Sequence, residues 1–179
     1  MPGKYAGFIM SDNYQINFTQ ILDEFKSGDK SKAFKKQENY LKNNPNDNVA
    51  RFNFAIMCAE INKNDLAIKN YKQVIKNEKN HWESRFNLYI MYLDKKLYQQ
   101  AHQYVNEVLE IKNNFQPALR DKALILNYLL KSDEAFEYIV SALKQNQNDH
   151  IALNTLGLIL ISLKRLKDAK NTFIRAIEI

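Results

Sequence analysis

The chain has 179 residues, with 26 Lys and Arg against 20 Asp and Glu, so its net charge is +6. Glycine (4) and proline (3) are scarce, which disfavours turn-rich sheet folds and favours helices. The only cysteine, Cys58, excludes an intrachain disulfide and suits a reducing compartment, so we expect a cytoplasmic protein. Because no apolar stretch reaches about 18 residues, we expect no membrane span and no membrane partner.

The beginning of the chain differs from the rest. Residues 1–13 contain no apolar run long enough for a signal peptide, and we assign them as an N-terminal extension. From residue 14 onward the sequence repeats with a period of 34 residues, without insertion or deletion. The clearest column is alanine, at Ala33, Ala67, Ala101, Ala135 and Ala169. Further apolar columns run in phase with it, which predicts an array of one supersecondary unit.

Each repeat contains two stretches of apolar residues at helical spacing. In the third repeat they cover about 83–94 and 98–111, and the short linker between them predicts an antiparallel helix pair. Gly28 supplies a left-handed residue at the equivalent turn of the first repeat, and Pro117 stands where a first helical turn tolerates proline. The pattern predicts ten helices and no strand.

Large–small pairs followed by the repeated alanine carry a family resemblance. The pairs are Phe54–Ala55 in the second repeat and Leu156–Gly157 in the fifth. In these features residues 14–179 resemble the tetratricopeptide-repeat (TPR) family. The resemblance implies an all-α fold, an α-solenoid in which antiparallel helix pairs form a right-handed superhelix. The implied repeats are 14–47, 48–81, 82–115, 116–149 and 150–179, the last one incomplete.

Two positions depart from the family pattern. Lys122 stands at a large apolar position of the fourth repeat, and we expect its stem to pack while its amine reaches solvent. The sequence stops at Ile179, inside the last helix, without the polar capping helix that usually ends such an array. We therefore expect part of a longer protein, with an exposed apolar strip that includes Phe173 and Ile177 and permits self-association.

The resemblance also implies a ligand groove, because the first helices of TPR pairs line the concave surface. Asparagine offers a donor and an acceptor to the backbone of an extended peptide, and phenylalanine offers apolar area. The alternative is that the phenylalanines only pack between adjacent first helices. The predicted groove residues are Phe18, Phe52, Asn53, Ile56, Phe86, Asn87, Ile90, Arg120 and Asp121.

Catalytic chemistry finds no support in the sequence. His81, His102 and His150 do not cluster at metal-ligand spacing, and there is no glycine-rich phosphate loop. Cys58 falls in an apolar core column, where a small packing residue is expected. We predict that the chain is not an enzyme and has no catalytic residue, metal or cofactor.

The groove residues also limit the partner. TPR domains that bind acidic chaperone C-termini need a lysine-containing carboxylate clamp, whereas the corresponding positions here include Phe18, Leu22 and Glu83. Nucleic acid is disfavoured because no aromatic column interleaves with the basic residues. We therefore predict a protein–protein interaction scaffold that binds a polypeptide segment in its concave groove.

An alternative function remains open at the level of sequence. Asn53 and Asn87 match part of the asparagine ladder of the protein O-GlcNAc transferase family, and TPR arrays precede glycosyltransferase and sulfotransferase domains. On that resemblance the chain would be the substrate-recruiting N-terminal arm of an enzyme whose catalytic domain lies beyond residue 179.

Overall fold

The computed structural model describes residues 6–9 and 15–179. All regular secondary structure among these residues is helical, so the predicted all-α solenoid with ten helices is confirmed. Every helix within the described ranges lacks the length and apolar character that crossing a bilayer requires. The helices are α1 (Gln15–Lys26), α2 (Lys30–Asn43), α3 (Asn48–Glu60), α4 (Asn64–Asn77), α5 (Trp82–Asp94), α6 (Tyr98–Ile111), α7 (Gln116–Tyr128), α8 (Ser132–Gln145), α9 (His150–Ser162) and α10 (Leu166–Ile177).

The helices keep the period of the sequence. The second helix of each pair begins 34 residues after its predecessor, from Lys30 through to Leu166. A three-residue turn joins the helices of each pair, which makes them antiparallel neighbours. These starts support the five-repeat division, whose boundaries remain a prediction.

The middle residue of every turn within a pair has a left-handed backbone. The five positions recur every 34 residues: Gly28 (φ 108°), Asn62 (62°), Lys96 (57°), Leu130 (62°) and Lys164 (60°). Only the first is glycine; asparagine tolerates the conformation at Asn62, whereas lysine and leucine pay about 1–2 kcal/mol for it. The packed helix pair therefore imposes the turn geometry even where the local sequence opposes it.

Polar side chains and one proline determine where several helices begin. Asp29, Asp47 and Asp149 each accept a hydrogen bond from a backbone N–H in the first turn of α2, α3 and α9. Such caps satisfy donors that the helix itself leaves unpaired. Pro117 lies in the first turn of α7, where its missing N–H costs nothing.

The described residues form two compact units, which divide between residues 91 and 92. In the first unit, the rings of Phe34 and Phe54 pack with centroids 5.0 Å apart. In the second unit, buried apolar residues of α7, α8 and α9 form one cluster. The predicted burial of the alanine column is confirmed, with exposed fractions of 0% for Ala67, Ala101 and Ala135 and 2% for Ala169. Alanine at these positions lets two helices approach closely.

The environment of Lys122 corrects one prediction from the sequence. Lys122 is only 8% exposed, so little of its side chain, amine included, is left to solvent. Instead, Nζ donates a hydrogen bond of 2.7 Å to the Tyr138 hydroxyl and lies 4.0 Å from the centroid of the same ring. The hydroxyl and the ring face replace water as partners of the ammonium group.

The last helix corrects a second prediction in part, at Phe173. Phe173 is half-buried and packs over Gly157, so closely that a Cβ at Gly157 would lie 2.4 Å from its ring. The predicted exposure of Ile177 (84%) is confirmed, and the other strongly exposed apolar side chains of α10 are Leu166 (65%) and Ile174 (44%).

Candidate functional site

Two asparagine side chains of the first unit hold the backbone of residues 6–9, which we call the docked segment. Asn53, on α3, accepts the Ile9 N–H at 2.9 Å and donates to the Ile9 carbonyl at 2.6 Å. Asn87, on α5, accepts the Ala6 N–H at 2.7 Å and donates to the Ala6 carbonyl at 3.4 Å. Each carboxamide therefore engages both backbone polar groups of a single residue.

Burial and a third side chain orient these amides. Asn53 and Asn87 are both 0% exposed. The second N–H of the Asn87 carboxamide donates to the buried hydroxyl of Tyr71, on α4, at 3.0 Å. Because a buried polar group without a partner costs about 1–3 kcal/mol, amides in this setting require polar partners, and the backbone of residues 6–9 supplies them.

The register of the docked segment matches the spacing of the helices. Its two paired residues are three apart, whereas Asn53 and Asn87 occupy equivalent positions on the first helices of successive pairs. Residues three apart face opposite sides of a β-strand but the same side of a polyproline II helix. One polyproline II turn advances about 9 Å, close to the roughly 8–10 Å between packed helices. The segment runs from α5 to α3, opposite to the chain order of those helices.

An aromatic side chain of the docked segment packs against α1. The ring centroid of Phe8 lies 5.5 Å from that of Phe18 and 6.3 Å from that of Phe25. Both α1 residues are buried, and the tilted and edge-on geometries are those that aromatic pairs prefer. We call Phe18 and Phe25 the aromatic pocket. It gives the site an apolar contact beside the polar backbone contacts.

A pocket that is open to solvent lies beside Ile9. It has a volume of about 620 Å³, and Ile9 forms one wall while the start of α5 and the turn before it form another. This volume is within the range of ligand-binding pockets. The other lining residues are Val49, Glu78, Lys79, Asn80, His81, Trp82 and Glu83.

His81 anchors the helix that carries Asn87. The Ser84 N–H donates to His81 Nδ1 at 3.2 Å, which caps the start of α5. Burial lowers the pKa of His81, although the nearby carboxylates of Glu83 and Glu78 act in the opposite direction. The imidazole is therefore neutral at pH 7, as an accepting Nδ1 requires.

The other predicted groove residues of the first unit contact neighbouring helices. Phe52 packs against Tyr71 and His81, with ring centroids 5.7 and 4.9 Å apart. Phe86 packs against the Tyr89 ring at 5.0 Å, and Ile56 and Ile90 are buried. These contacts favour the packing role for Phe52, while Phe18 combines packing with contact to the docked segment.

Arg120 and Asp121 lie in the second unit, where they belong to a charged cluster. Arg120 Nε donates to Asp121 Oδ1 at 2.9 Å, and its Nη1 lies 3.5 Å from Asp149 Oδ2. Burial would raise the pKa of Asp149, but hydrogen bonds from Gln116 and the Ala152 N–H and the charge of Arg120 outweigh it. The pKa of Asp149 is therefore below its ordinary value, and its carboxylate is held in the charged form.

Cys58 has the environment of a packing residue. Its side chain is 0% exposed, and burial raises the pKa of the thiol to about 12. A thiol in this state is protonated at neutral pH and is a poor nucleophile. Within the described ranges, no three or more His, Cys, Asp or Glu side chains are grouped so that they could hold a metal ion.

The helix pairs define a TPR-like α-solenoid, and solved structures of one protein share this fold. No protein-family model and no curated protein sequence matches the chain. A structure of MamA from Desulfovibrio magneticus RS-1, beginning at its residue 41, aligns with a TM-score of 0.84 at 16% identity, covering 95% of this chain and 96% of that one. Another MamA crystal structure aligns with a TM-score of 0.81 at 17% identity, covering 94% and 92%. Likeness at this level of identity concerns the fold.

The docked segment is the part of the site that the sequence did not reveal. Residues 6–9 read Ala-Gly-Phe-Ile, an uncharged run with one aromatic residue, inside what we assigned as an extension. Its polar contacts all come from the main chain. Such contacts leave no side-chain pattern, so only the isolated apolar run could have indicated them.

Proposed function

We propose that this chain is a protein-interaction scaffold whose first unit binds a polypeptide segment in an extended conformation. The binding groove is formed by α1, α3 and α5. The observation that carries the proposal is the two-point pairing of Asn53 with Ile9 and of Asn87 with Ala6. Because each amide pairs with main-chain groups, it accepts a backbone of any sequence.

The chemistry of the groove favours a neutral, partly apolar partner. Its polar contacts are carboxamides, and its apolar contact is the aromatic pocket of Phe18 and Phe25. Glu78 and Glu83 line the pocket beside Ile9 and would repel an acidic chain terminus. The proposed partner is therefore a protein or peptide segment, rather than an acidic chaperone tail or a nucleic acid.

A peptide titration tests this function. The probe is a capped, uncharged peptide with the sequence of residues 5–11, YAGFIMS. The protein is the full chain carrying Phe8→Ala and Ile9→Pro, which we call the vacated variant because its own segment loses the ring and one backbone donor. We expect the probe to bind this variant. Adding Asn53→Ala should weaken binding about 5- to 150-fold, because about 1–3 kcal/mol of hydrogen bonding is lost.

Two controls keep the result specific. Asn171→Ala removes an exposed asparagine of α10 and should leave the affinity unchanged. Asn87→Ala should weaken binding of the probe as Asn53→Ala does. Because Asn87 also donates to the Tyr71 hydroxyl, Tyr71→Phe serves as the control for the effect of losing that hydrogen bond on stability. Binding that survives both Asn53→Ala and Asn87→Ala at full affinity would contradict the proposed function.

A further inference from the structure

We propose that residues 6–9 compete with the partner for the groove while remaining tethered to α1. We also propose that the partner shares the backbone conformation of these residues and the position of their aromatic side chain. That partner is a segment with the three-residue backbone period of polyproline II and an aromatic side chain two residues after its first paired residue. It enters by displacing the docked segment. This inference rests on the proposed function and adds the partner's chemistry and the regulation of access.

The backbone period follows from the two paired residues. Ala6 and Ile9 both present N–H and C=O to amides on one side of the groove. Polyproline II has three residues per turn and no internal hydrogen bonds, so every third residue can offer both groups to one wall. A partner therefore needs backbone N–H groups at positions one and four, while the positions between them are free of that requirement.

Gly7 provides a matched control position between the paired residues. It is exposed, and a Cβ built there would meet no atom within 4 Å. Its φ lies outside the left-handed region, so an L-residue fits the backbone. Changes at Gly7 therefore alter the segment without touching the wall of the groove.

The aromatic requirement follows from the position of Phe8, the one aromatic residue among residues 6–9. Its ring packs against the rings of Phe18 and Phe25. When the segment leaves, these two buried rings lose their cover and present apolar area to water. A partner with an aromatic residue at this position covers them again, whereas one with alanine does not.

The tether makes the segment a competitor. Only five residues separate Ile9 from the start of α1 at Gln15, so the segment stays close to the groove. Short tethers give effective concentrations on the order of 1 mM. For a free peptide with a Kd of about 100 µM, such a competitor weakens the apparent affinity about tenfold.

Synthetic peptides test the partner's chemistry while the protein is kept the same throughout. That protein is the vacated variant. We expect N-methylation of the Ile9 nitrogen, and separately Phe8→Ala, to weaken the YAGFIMS probe at least tenfold. The matched changes, N-methylation of the Gly7 nitrogen and Gly7→Ala, should alter affinity less than about threefold. Equal losses of affinity on N-methylation at Gly7 and at Ile9 would overturn the partner assignment. So would an unchanged affinity of the Phe8→Ala peptide. A parent probe that fails to bind at all would instead overturn the proposed function.

Comparison of the full wild-type chain with the vacated variant tests the competition. We expect the probe to bind the wild-type chain about tenfold more weakly. A dye on Gly7→Cys reports the segment directly, because Cys58 is buried and does not compete for the label. Its anisotropy should fall when the probe is added and should not change on dilution of the protein alone. Equal affinities of both chains would show that the segment does not compete, and a fall on dilution would show that it docks between two copies.

Discussion

Gly157 shows how one missing side chain sets the contact between α9 and α10. A Cβ at this position would lie 2.4 Å from two atoms of the Phe173 ring, a distance that real Cβ atoms do not show. The glycine lies in the interior of α9, where it costs about 0.5–1 kcal/mol relative to alanine. The glycine leaves the space that the Phe173 ring occupies, and a larger residue at this position would have to displace the ring.

We expect Gly157→Ala to destabilise the chain by about 1 kcal/mol, although alanine is the better helix former. Overpacking costs about 1–3 kcal/mol and outweighs the gain in propensity. Urea unfolding of the full chain measures the effect. Adding Phe173→Leu should relieve the clash and recover part of the loss. If Gly157→Ala alone proved more stable than the parent, the Phe173 ring would have moved without cost.

The turns between paired helices show that packing prevails over local preference at the scale of the element. The same left-handed position recurs in all five pairs, yet glycine occupies it only at Gly28. Leu130 adopts it with 91% of its surface exposed, so its side chain gains little from burial. The sequence indicated this turn chemistry from Gly28 alone. Asparagine at Asn62 tolerates the left-handed region, but at Lys96, Leu130 and Lys164 the helix pair dictates a geometry that the residue itself resists.

Equivalent positions in two of these turns allow a matched pair of substitutions, one that introduces glycine and one that removes it. We expect Leu130→Gly to raise the free energy of unfolding by about 0.5–1 kcal/mol, because about 1–2 kcal/mol of backbone strain exceeds the unfolded-state entropy that glycine adds. Gly28→Ala should lower it by about 1 kcal/mol, since nothing but the backbone opposes the new Cβ. Leu130→Ala keeps the strain and should change little. A stabilisation by Leu130→Ala equal to that by Leu130→Gly would show that the exposed side chain, rather than the backbone, is unfavourable.

At the scale of the whole molecule, the sequence predicted the helix pairs because each is repeated and each carries its own apolar pattern. It also marked Asn53 and Asn87 as amides suited to a peptide backbone, and their role in ligand binding remains a prediction. It did not predict the docked segment, which binds through main-chain atoms. Nor did it predict the partner of Lys122, because Tyr138 comes close only when α7 and α8 pack.

The net charge of +6 allows two kinds of partner that respond differently to salt. A groove that binds through carboxamides and phenylalanine rings contributes no charge pair to the contact. A partner held by basic side chains through phosphates would release counterions, and even three phosphate contacts would weaken binding about 500-fold over a tenfold rise in salt. The same titration can therefore separate groove binding from attraction to the basic surface.

We expect the affinity of the uncharged YAGFIMS probe for the vacated variant to change less than about twofold between roughly 50 and 500 mM salt, because screening acts only on charges. The probe should bind the vacated variant with Asn53→Ala more weakly than the vacated variant itself, by the same factor at the lowest and the highest salt concentration. A probe affinity that falls steeply with salt would mean that the basic surface, and not the pairing of Asn53 and Asn87 with a backbone, provides the binding.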